Sequence, residues 1–455
     1  MAVTELEIPQ ARPTEDQIRG ALEKTGARRA ALVDLQFSDI AGGIKSLTIP
    51  GKLLEHTLRH GYRFDGSALS GGMRRVELDL YLAPDPSTLT FPPARSGDPQ
   101  RAQILCWVLR RDGSPFPGDP RSTLERTLRR AAAAGFDYQV GIEMEFYLLQ
   151  HALSDRTEPP ALDAGYFDIG DDLLAGTRDE IVATLDAMHI GVGGAHHETG
   201  PGQQELDLLQ AGGIRIADQI IVTRQVIRSV AERRGLHATF MAKPFADAPG
   251  SGMHMFQRLG RLAQGDDLLR DPAASDGLSE TARNFIAGQL AHARAVCAVL
   301  CTTVNSYKRL AAGHRAPQYA TWARVSQASL IRVPAAAEGM STDIELRSAD
   351  AMANPYLAIA ASLGAALDGI KQGDPPSAPL DENLVSYDVD ELHRLGVPML
   401  PTSLGEALDA LSADPVLRDA LGNYIFEQLL TVKRAEWSDY QHHVSPWERQ
   451  RYGDV

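Results

Sequence analysis

The chain has 455 residues but only three cysteines, Cys106, Cys297 and Cys301. Their odd number and lack of metal-type spacing exclude a disulfide framework and a thiolate metal site, and predict a reducing compartment. Cys297 and Cys301 stand four apart in an apolar run, as buried thiols on one helix do. Positive charge is also short: 45 Lys and Arg stand against 59 Asp and Glu, for a net charge of −14. No long basic block appears, which argues against a nucleic-acid partner. The acidic excess favours solubility, and bound cations would neutralise part of it. Long apolar runs are missing as well. The most apolar stretch, 355–367, is too short to span a bilayer and is bounded by Asn354 and Asp368, so it reads as a buried helix. The first residues, MAVTELEIPQARPTEDQ, lack the apolar core of a secretory signal. These absences predict a cytoplasmic protein without a membrane partner.

What is present suits a large globular protein of two or three domains, with 44% hydrophobic and 23% charged residues. Segments 32–37 and 44–49 read as strands of a hairpin turning over Asp39–Gly43. Further strand patterns lie at 78–82 and 103–109. The Pro- and Gly-rich segment 114–121 closes this mainly β region, giving expected domains 1–117 and 118–455. Beyond it, S-x-x-E patterns at Ser122–Glu125, Thr177–Glu180 and Ser403–Glu406 predict helix starts. Helices are expected at 214–233, 279–303, 355–370 and within 415–440. Strands are expected at 140–148, 236–243, 329–334 and 343–347. The fold class is α+β.

Four segments place carboxylates or a histidine where a metal would want them: 140–147 (VGIEMEFY), 196–206 (HHETGPGQQEL), 250–256 (GSGMHMF) and 343–347 (DIELR). Side chains on a strand alternate between faces. Glu143 and Glu145 therefore share the face opposite Val140, Ile142, Met144 and Phe146, about 7 Å apart. Like charges this close repel unless a cation lies between them. The bland alternative is a solvent-facing pair of glutamates. Asp343, Glu345 and Arg347 share a face in the same way, as ligand and clamp or as a surface ion pair. His254 follows a Gly-Ser-Gly turn, and Glu198 and Glu205 flank the turn Gly200-Pro201-Gly202. Five carboxylates and one imidazole suit two or more hard cations such as Mg²⁺ or Mn²⁺ and suit zinc poorly.

With these segments, FDGSALSGG (64–72), NSYKRL (305–310), RAPQY (315–319), IRVP (331–334) and ADAMANPYLA (349–358), the chain resembles the glutamine synthetase family over nearly its whole length. The resemblance implies an N-terminal β-grasp domain followed by a large catalytic α/β domain. It implies dodecamers of two six-membered rings with active sites between subunits. It also implies ATP-dependent amide formation at the γ-carboxylate of glutamate through an acyl phosphate. Glu145, Glu198 and Glu205 then resemble ligands of the metal nearer the acid. Glu143, His254 and Glu345 resemble those of the metal nearer the ATP phosphates. Gly250, Arg309, Arg347 and Gln204 match positions that hold the acid. Asp65, Arg309 and position 315 match catalytic positions, with Asp65 reaching a neighbouring subunit's site. Arg332, Gln327, Asp343 and Phe256 stand on the nucleotide and phosphate side.

The sequence also departs from the family pattern. Where glutamine synthetases carry a glutamate before Ala-Pro, this chain has Arg315. A carboxylate there would attract an ammonium ion by roughly a few kcal/mol, and a guanidinium repels it comparably. Gln327 and Asp343 replace arginines, Phe256 a histidine, Arg258 a serine, Gly193 a glutamate and Ala68 a serine. Val385 stands where some bacterial relatives carry an adenylylated tyrosine. All six metal-type ligands remain. The expected activity is a γ-glutamyl–amine ligase using an amine other than ammonia. Ordinary glutamine synthesis, a degenerate structural or regulatory member, and metal chemistry without ATP are the alternatives.

Overall fold

Thr14 and Gln17 form a capping box, with the Thr14 hydroxyl on the Gln17 amide and the Gln17 side chain on the Thr14 amide. They open helix α1 (Glu15–Ala27), with Glu15 and Asp16 in its first turn and Lys24 in its last. The sequence reading missed this helix, although the capping signal was there. The structure, a computed structural model, describes residues 13–69, 79–93, 97–153, 165–168, 172–262, 266–311, 316–335, 341–381, 387, 389–394 and 396–453.

Strands β1 (Leu32–Ser38) and β2 (Ile44–Pro50) form the expected antiparallel hairpin. Helix α2 (Leu54–His60) leads to β3 (Tyr62–Asp65), β4 (Asp79–Pro84) and β5 (Arg101–Leu109). Together these strands make a five-stranded sheet in the order β2-β1-β5-β4-β3, with β1 and β5 parallel. Val33, Leu35, Leu82, Ile104 and Val108 fill its own core.

Helix α3 (Pro120–Ala133) begins earlier than the Ser122 signal suggested. Asp119 is its N-cap, accepting from the Arg121 and Ser122 amides, and Pro120 sits at the first position. Strand β6 (Phe136–Leu149) follows, then α4 (Asp172–Ala187). Thr177 lies inside α4 and bonds back to the Leu173 carbonyl at 2.6 Å, so it does not cap that helix. Strands β7 (Val192–His197) and β8 (Gln203–Gly212), helix α5 (Gly213–Arg233), strand β9 (His237–Thr239) and strand β10 (Met253–Arg261) come next. The expected strand 236–243 is only β9. Beyond it, Asn305 holds both the amide and the carbonyl of Lys243, at 2.8 and 3.0 Å, in place of a strand neighbour.

The helix expected over 279–303 is two, α6 (Glu280–Ala291) and α7 (Ala293–Leu300), meeting at His292. His292 bridges two carboxylates: Nδ1 lies 2.6 Å from Asp414 and Nε2 3.3 Å from Asp368. The bond to Asp414 holds the His292 pKa above its ordinary value. Burial pushes Asp414 up, yet the His292 bond leaves it below its usual range. The His292 contribution is therefore full below about pH 6.5 and fades as pH rises through the higher folded value. His292→Asn is expected to cost about 1.5–3 kcal/mol at pH 6 and clearly less at pH 9. Urea unfolding at the two pH values checks this, and an equal loss at both would refute it.

After α8 (Ser306–Ala311) come strands β11 (Tyr319–Ala323), β12 (Ser329–Arg332) and β13 (Ile344–Leu346). The second sheet runs β11-β12-β13-β10-β6-β8-β7, and β9 also pairs with β6. Helix α9 (Pro355–Gln372) is the buried apolar helix read from the sequence, capped by Asn354 at the Tyr356 and Leu357 amides. The Asn354 Nδ2 also donates to the Asp39 carbonyl at 2.9 Å, tying this cap to the β1–β2 turn. Gly288 of α6 and Gly369 of α9 pack backbone to backbone: a Cβ at Gly288 would lie 2.7 Å from the Gly369 amide nitrogen. The chain ends in α10 (Val389–Arg394), α11 (Leu404–Ser412), α12 (Pro415–Leu421), α13 (Asn423–His442) and α14 (Pro446–Tyr452). Ser403 caps α11 as expected. No helix among the described residues is long and apolar enough to cross a membrane.

Candidate metal and ligase site

Strand β6 lies between β8 and β10 at the middle of the second sheet. One of its faces buries Val140, Ile142, Met144 and Phe146 in the main core. Its other face carries Glu143 and Glu145. Register then decides their neighbours. Glu143 stands opposite His254 on β10 and Asp207 on β8, and Glu145 stands opposite Glu205. On the far side of β10, Glu345 of β13 pairs with Phe256 and with Arg332 of β12.

This arrangement brings together two sets of ligand atoms, each within 4.8 Å. One is Glu143, His254 and Glu345; the other is Glu145, Glu198 and Glu205. These are the six side chains singled out in the sequence. His254 Nδ1 lies 3.0 Å from Glu143 and 3.6 Å from Glu345. Glu345 is fully buried and ion-paired with both Arg332 and Arg347. Glu145 accepts from the Gly252 amide at 2.8 Å and from Gln203 at 3.2 Å. The Gly200–Gly202 turn returns β8 beside β7, so Glu198 and Glu205 meet. A Cβ at Gly200 would collide with the Tyr147 hydroxyl, so only glycine fits this turn.

Sequence reasoning missed Asp207. It forms a third set with Glu143 and Glu205, two residues after Glu205 on the same face of β8. Period-two alternation was its available signal. His196 was missed too; its Nε2 lies 3.1 Å from Glu205. The exposed Tyr166 and Phe167 pack against the His196 ring at 5.5 and 4.2 Å between centroids.

Charge crowding shifts the acids. Burial, and then repulsion from Glu145, Glu143, Asp207 and Glu198, pushes Glu205 up to about 10. Burial raises Glu145 to about 7 and Asp207 to about 6. Burial holds His254 well below its ordinary value, so the ring is neutral. Its Nε2 is buried with no hydrogen-bond partner among the described residues. A neutral imidazole with a buried lone pair, facing repelling carboxylates, fits hard divalent cations. Acids raised in the fold lose stability as pH climbs above their unfolded values near 4. In EDTA the melting temperature is therefore expected to fall from pH 5 to 9. Added Mn²⁺ should raise it by an amount that grows with pH. A pH-independent Mn²⁺ shift in a thermal melt would refute this account.

The remaining expected residues separate. A Cβ at Gly250 would lie 2.6 Å from the Ala242 carbonyl oxygen and 2.8 Å from Arg309 Cγ, so this glycine allows the loop to sit on Arg309. Arg309 is buried and donates to the carbonyls of Arg347, Ser348 and Ala349, which makes it a strut under the site. Gln204 faces away: its side chain accepts from Arg178 of α4 at 2.8 Å. Strand alternation turns Gln203 toward the acids instead, where its side chain donates to Glu145, so Gln204 does not face them. Asp343 is held by Arg258 at 2.7 and 2.9 Å and by Gln210 at 2.7 Å. Two of the departures, Asp343 and Arg258, thus form one ion pair. Phe256 stands over Gly141 in the β6 register. Gln327 is exposed in the β11–β12 turn, and a Cβ at Gly193 would reach Leu209 at 3.0 Å. Asp65 is exposed at the end of β3, in the other sheet. Arg315, Val385 and the side chain of Ala68 lie outside the described residues.

Comparison with known proteins agrees with this layout. Residues 29–111 match the model of the glutamine synthetase β-grasp domain, and residues 117–452 that of the glutamine synthetase catalytic domain. A glutamine synthetase of Halobacterium salinarum is 41% identical over 440 residues, 96% of each chain. One of Staphylococcus aureus is 40% identical over 450 residues, 98% of this chain and 99% of the other. A solved GmaS–ADP complex, GmaS being a γ-glutamylmethylamide synthetase, superposes with a TM-score of 0.85. It is 31% identical, with 96% of this chain and 99% of that chain covered. Apo GmaS gives 0.82 at 32% identity, covering 95% and 99%. With both domain models matched in order across its length, this chain belongs to the glutamine synthetase family and resembles its γ-glutamyl–amine ligases.

Proposed function

We propose that the chain is an ATP-dependent ligase joining the γ-carboxylate of glutamate, or a similar acid, to an amine other than ammonia. The observation that carries this reading is the contrast between a complete donor set and an arginine at position 315. Glu145, Glu198 and Glu205 would hold one Mg²⁺ or Mn²⁺, and Glu143, His254 and Glu345 a second. Such cations neutralise phosphate charge and orient in-line transfer. ATP phosphorylates the acid, and the amine then displaces phosphate from the acyl phosphate. Arg332 and Arg347, both paired with Glu345, bring positive charge beside the transferred group. Gln203, Gly250 and the Arg309 strut shape the acid's side of the site. Arg258, Asp343 and Phe256 change the nucleotide side. Tyr166 and Phe167 place exposed aromatic surface beside His196 and Glu205, which suits an amine with an apolar body better than ammonia.

The experiment is phosphate release from ATP, Mg²⁺ and glutamate across a panel of neutral, acidic and cationic amines. Release with an organic amine well above that with ammonia is the expected result. Release with ammonia alone favours the second reading, ordinary glutamine synthesis, which the names of the 40–41% identical relatives support. Absence of ATP binding, with Mn²⁺ still stabilising the protein, would overturn both. The same reading includes a dodecamer of stacked six-membered rings, with Asp65 entering a neighbouring subunit's site, and a domain division at 117/118. The exposed Val444, Trp447 and Tyr452 at the end of the chain supply apolar surface for subunit contacts. A monomer in sedimentation velocity would refute the assembly.

A further inference from the structure

A cavity lies away from the carboxylate site, where the first sheet meets helices α3 and α5. It measures about 710 Å³, within the range of small-molecule sites. None of its lining residues belongs to the metal-type sets. Its floor is a stacked pair: the Arg121 guanidinium lies 3.8 Å from the Trp107 ring centroid. Arg121 Nε and Nη2 donate to Asp218 at 3.0 and 2.7 Å, and Nη2 also to Asp85 at 2.8 Å. Arg121 Nη1, Trp107 Nε1 and the Thr90 hydroxyl are buried and have no hydrogen-bond partner among the described residues. All three residues line the cavity. Buried donors are nearly always satisfied, so three in one wall call for acceptors.

Charge and shape narrow the acceptor. Asp85 and Asp218 both pair with Arg121, while exposed Lys24 and Arg215 add positive charge at the rim. Lys24, Arg121 and Arg215 face only two carboxylates, Asp85 and Asp218, so the walls carry a net positive charge. Leu105, Met188, Ile190, Ile214 and Val222 supply an apolar wall. A carboxylate offers two acceptor oxygens and one negative charge, and a fork beside a guanidinium is its usual partner. We infer that this cavity is a second binding site, for a small amphipathic monocarboxylate whose acid group meets Arg121 and Trp107 and whose body lies on the apolar wall.

The test uses the full chain with Mg²⁺ and saturating glutamate, which keeps the catalytic site occupied. The probes are 3-phenylpropionate and its neutral counterpart 3-phenylpropanol, followed by calorimetry. One saturable site per chain is expected for the acid, with the alcohol weaker by about tenfold or more, the loss of a charge-assisted bond. Trp107→Phe keeps the ring and removes the donor; it should weaken the acid about fivefold, a neutral hydrogen bond's worth. The exposed double variant Lys24→Glu/Arg215→Glu tests the rim without touching the core and should weaken the acid about tenfold. Both variants should leave phosphate release unchanged. No saturable binding of the acid, or binding that neither variant alters, would overturn the site.

Discussion

Glu205→Gln is expected to lower ligase turnover by about 10³-fold, equivalent to roughly 4 kcal/mol of lost transition-state stabilisation. The metal-free protein should hardly notice the change. Crowding pushes the Glu205 carboxyl up to about 10, so at neutral pH without a cation it carries a proton. Glutamine has nearly the same size and charge as that protonated acid, and the melting temperature in EDTA should stay within about 2 °C of wild type. The Mn²⁺-induced rise should shrink sharply. Glu345→Gln differs in kind, because Glu345 is buried between Arg332 and Arg347. Removing that charge leaves the buried Arg347 and the partly buried Arg332 without this carboxylate and should destabilise the fold even in EDTA. Paired thermal melts, with and without Mn²⁺, separate the two effects. Wild-type turnover in Glu205→Gln would remove that carboxylate from the proposed cation set.

Arg315→Glu is expected to raise kcat/KM for ammonia by about 10²-fold, since reversing a full charge near a bound cation is worth roughly a few kcal/mol in a partly buried site. Turnover with the preferred organic amine should fall in the same variant. The ratio of the two values is the readout, because a general loss of folding lowers both. An unchanged ratio would mean that amine choice lies elsewhere, with Tyr166 and Phe167 the next residues to vary. Arg315→Gln should fall between the two, as removal of a charge without reversal.

Local rules made much of this chain legible. Period-two alternation placed Glu143 and Glu145 on one face of β6, opposite an apolar face that the structure buries. Glycine at 200–202 and at 250–252 marked the turns that return Glu205 and His254 to the sheet. Asn354 before Pro355 marked the start of a helix that is buried as its composition suggested. The same rules failed where two local signals compete. Asp119 outranks Ser122 as a cap because Pro120 follows it at the first helical position. Thr177 bonds back within α4, so its S-x-x-E-like spacing says nothing about the start of that helix. Gln203 and Gln204 are adjacent and chemically identical, and only the phase of β8 tells which one faces the acids.

The amino-acid sequence by itself determined which six side chains are candidate donors, the order of elements and the family pattern, because each rests on spacing within a few residues. Which acids crowd one another was decided only by the tertiary structure. Strand register sets Asp207 beside Glu143 and Glu205, Arg258 beside Asp343, and Arg332 beside Glu345, across gaps that no local period encodes. The cavity over Trp107 and Arg121 has the same origin: its walls come from the first sheet and from helices α1, α3 and α5, and they meet only when the chain is folded.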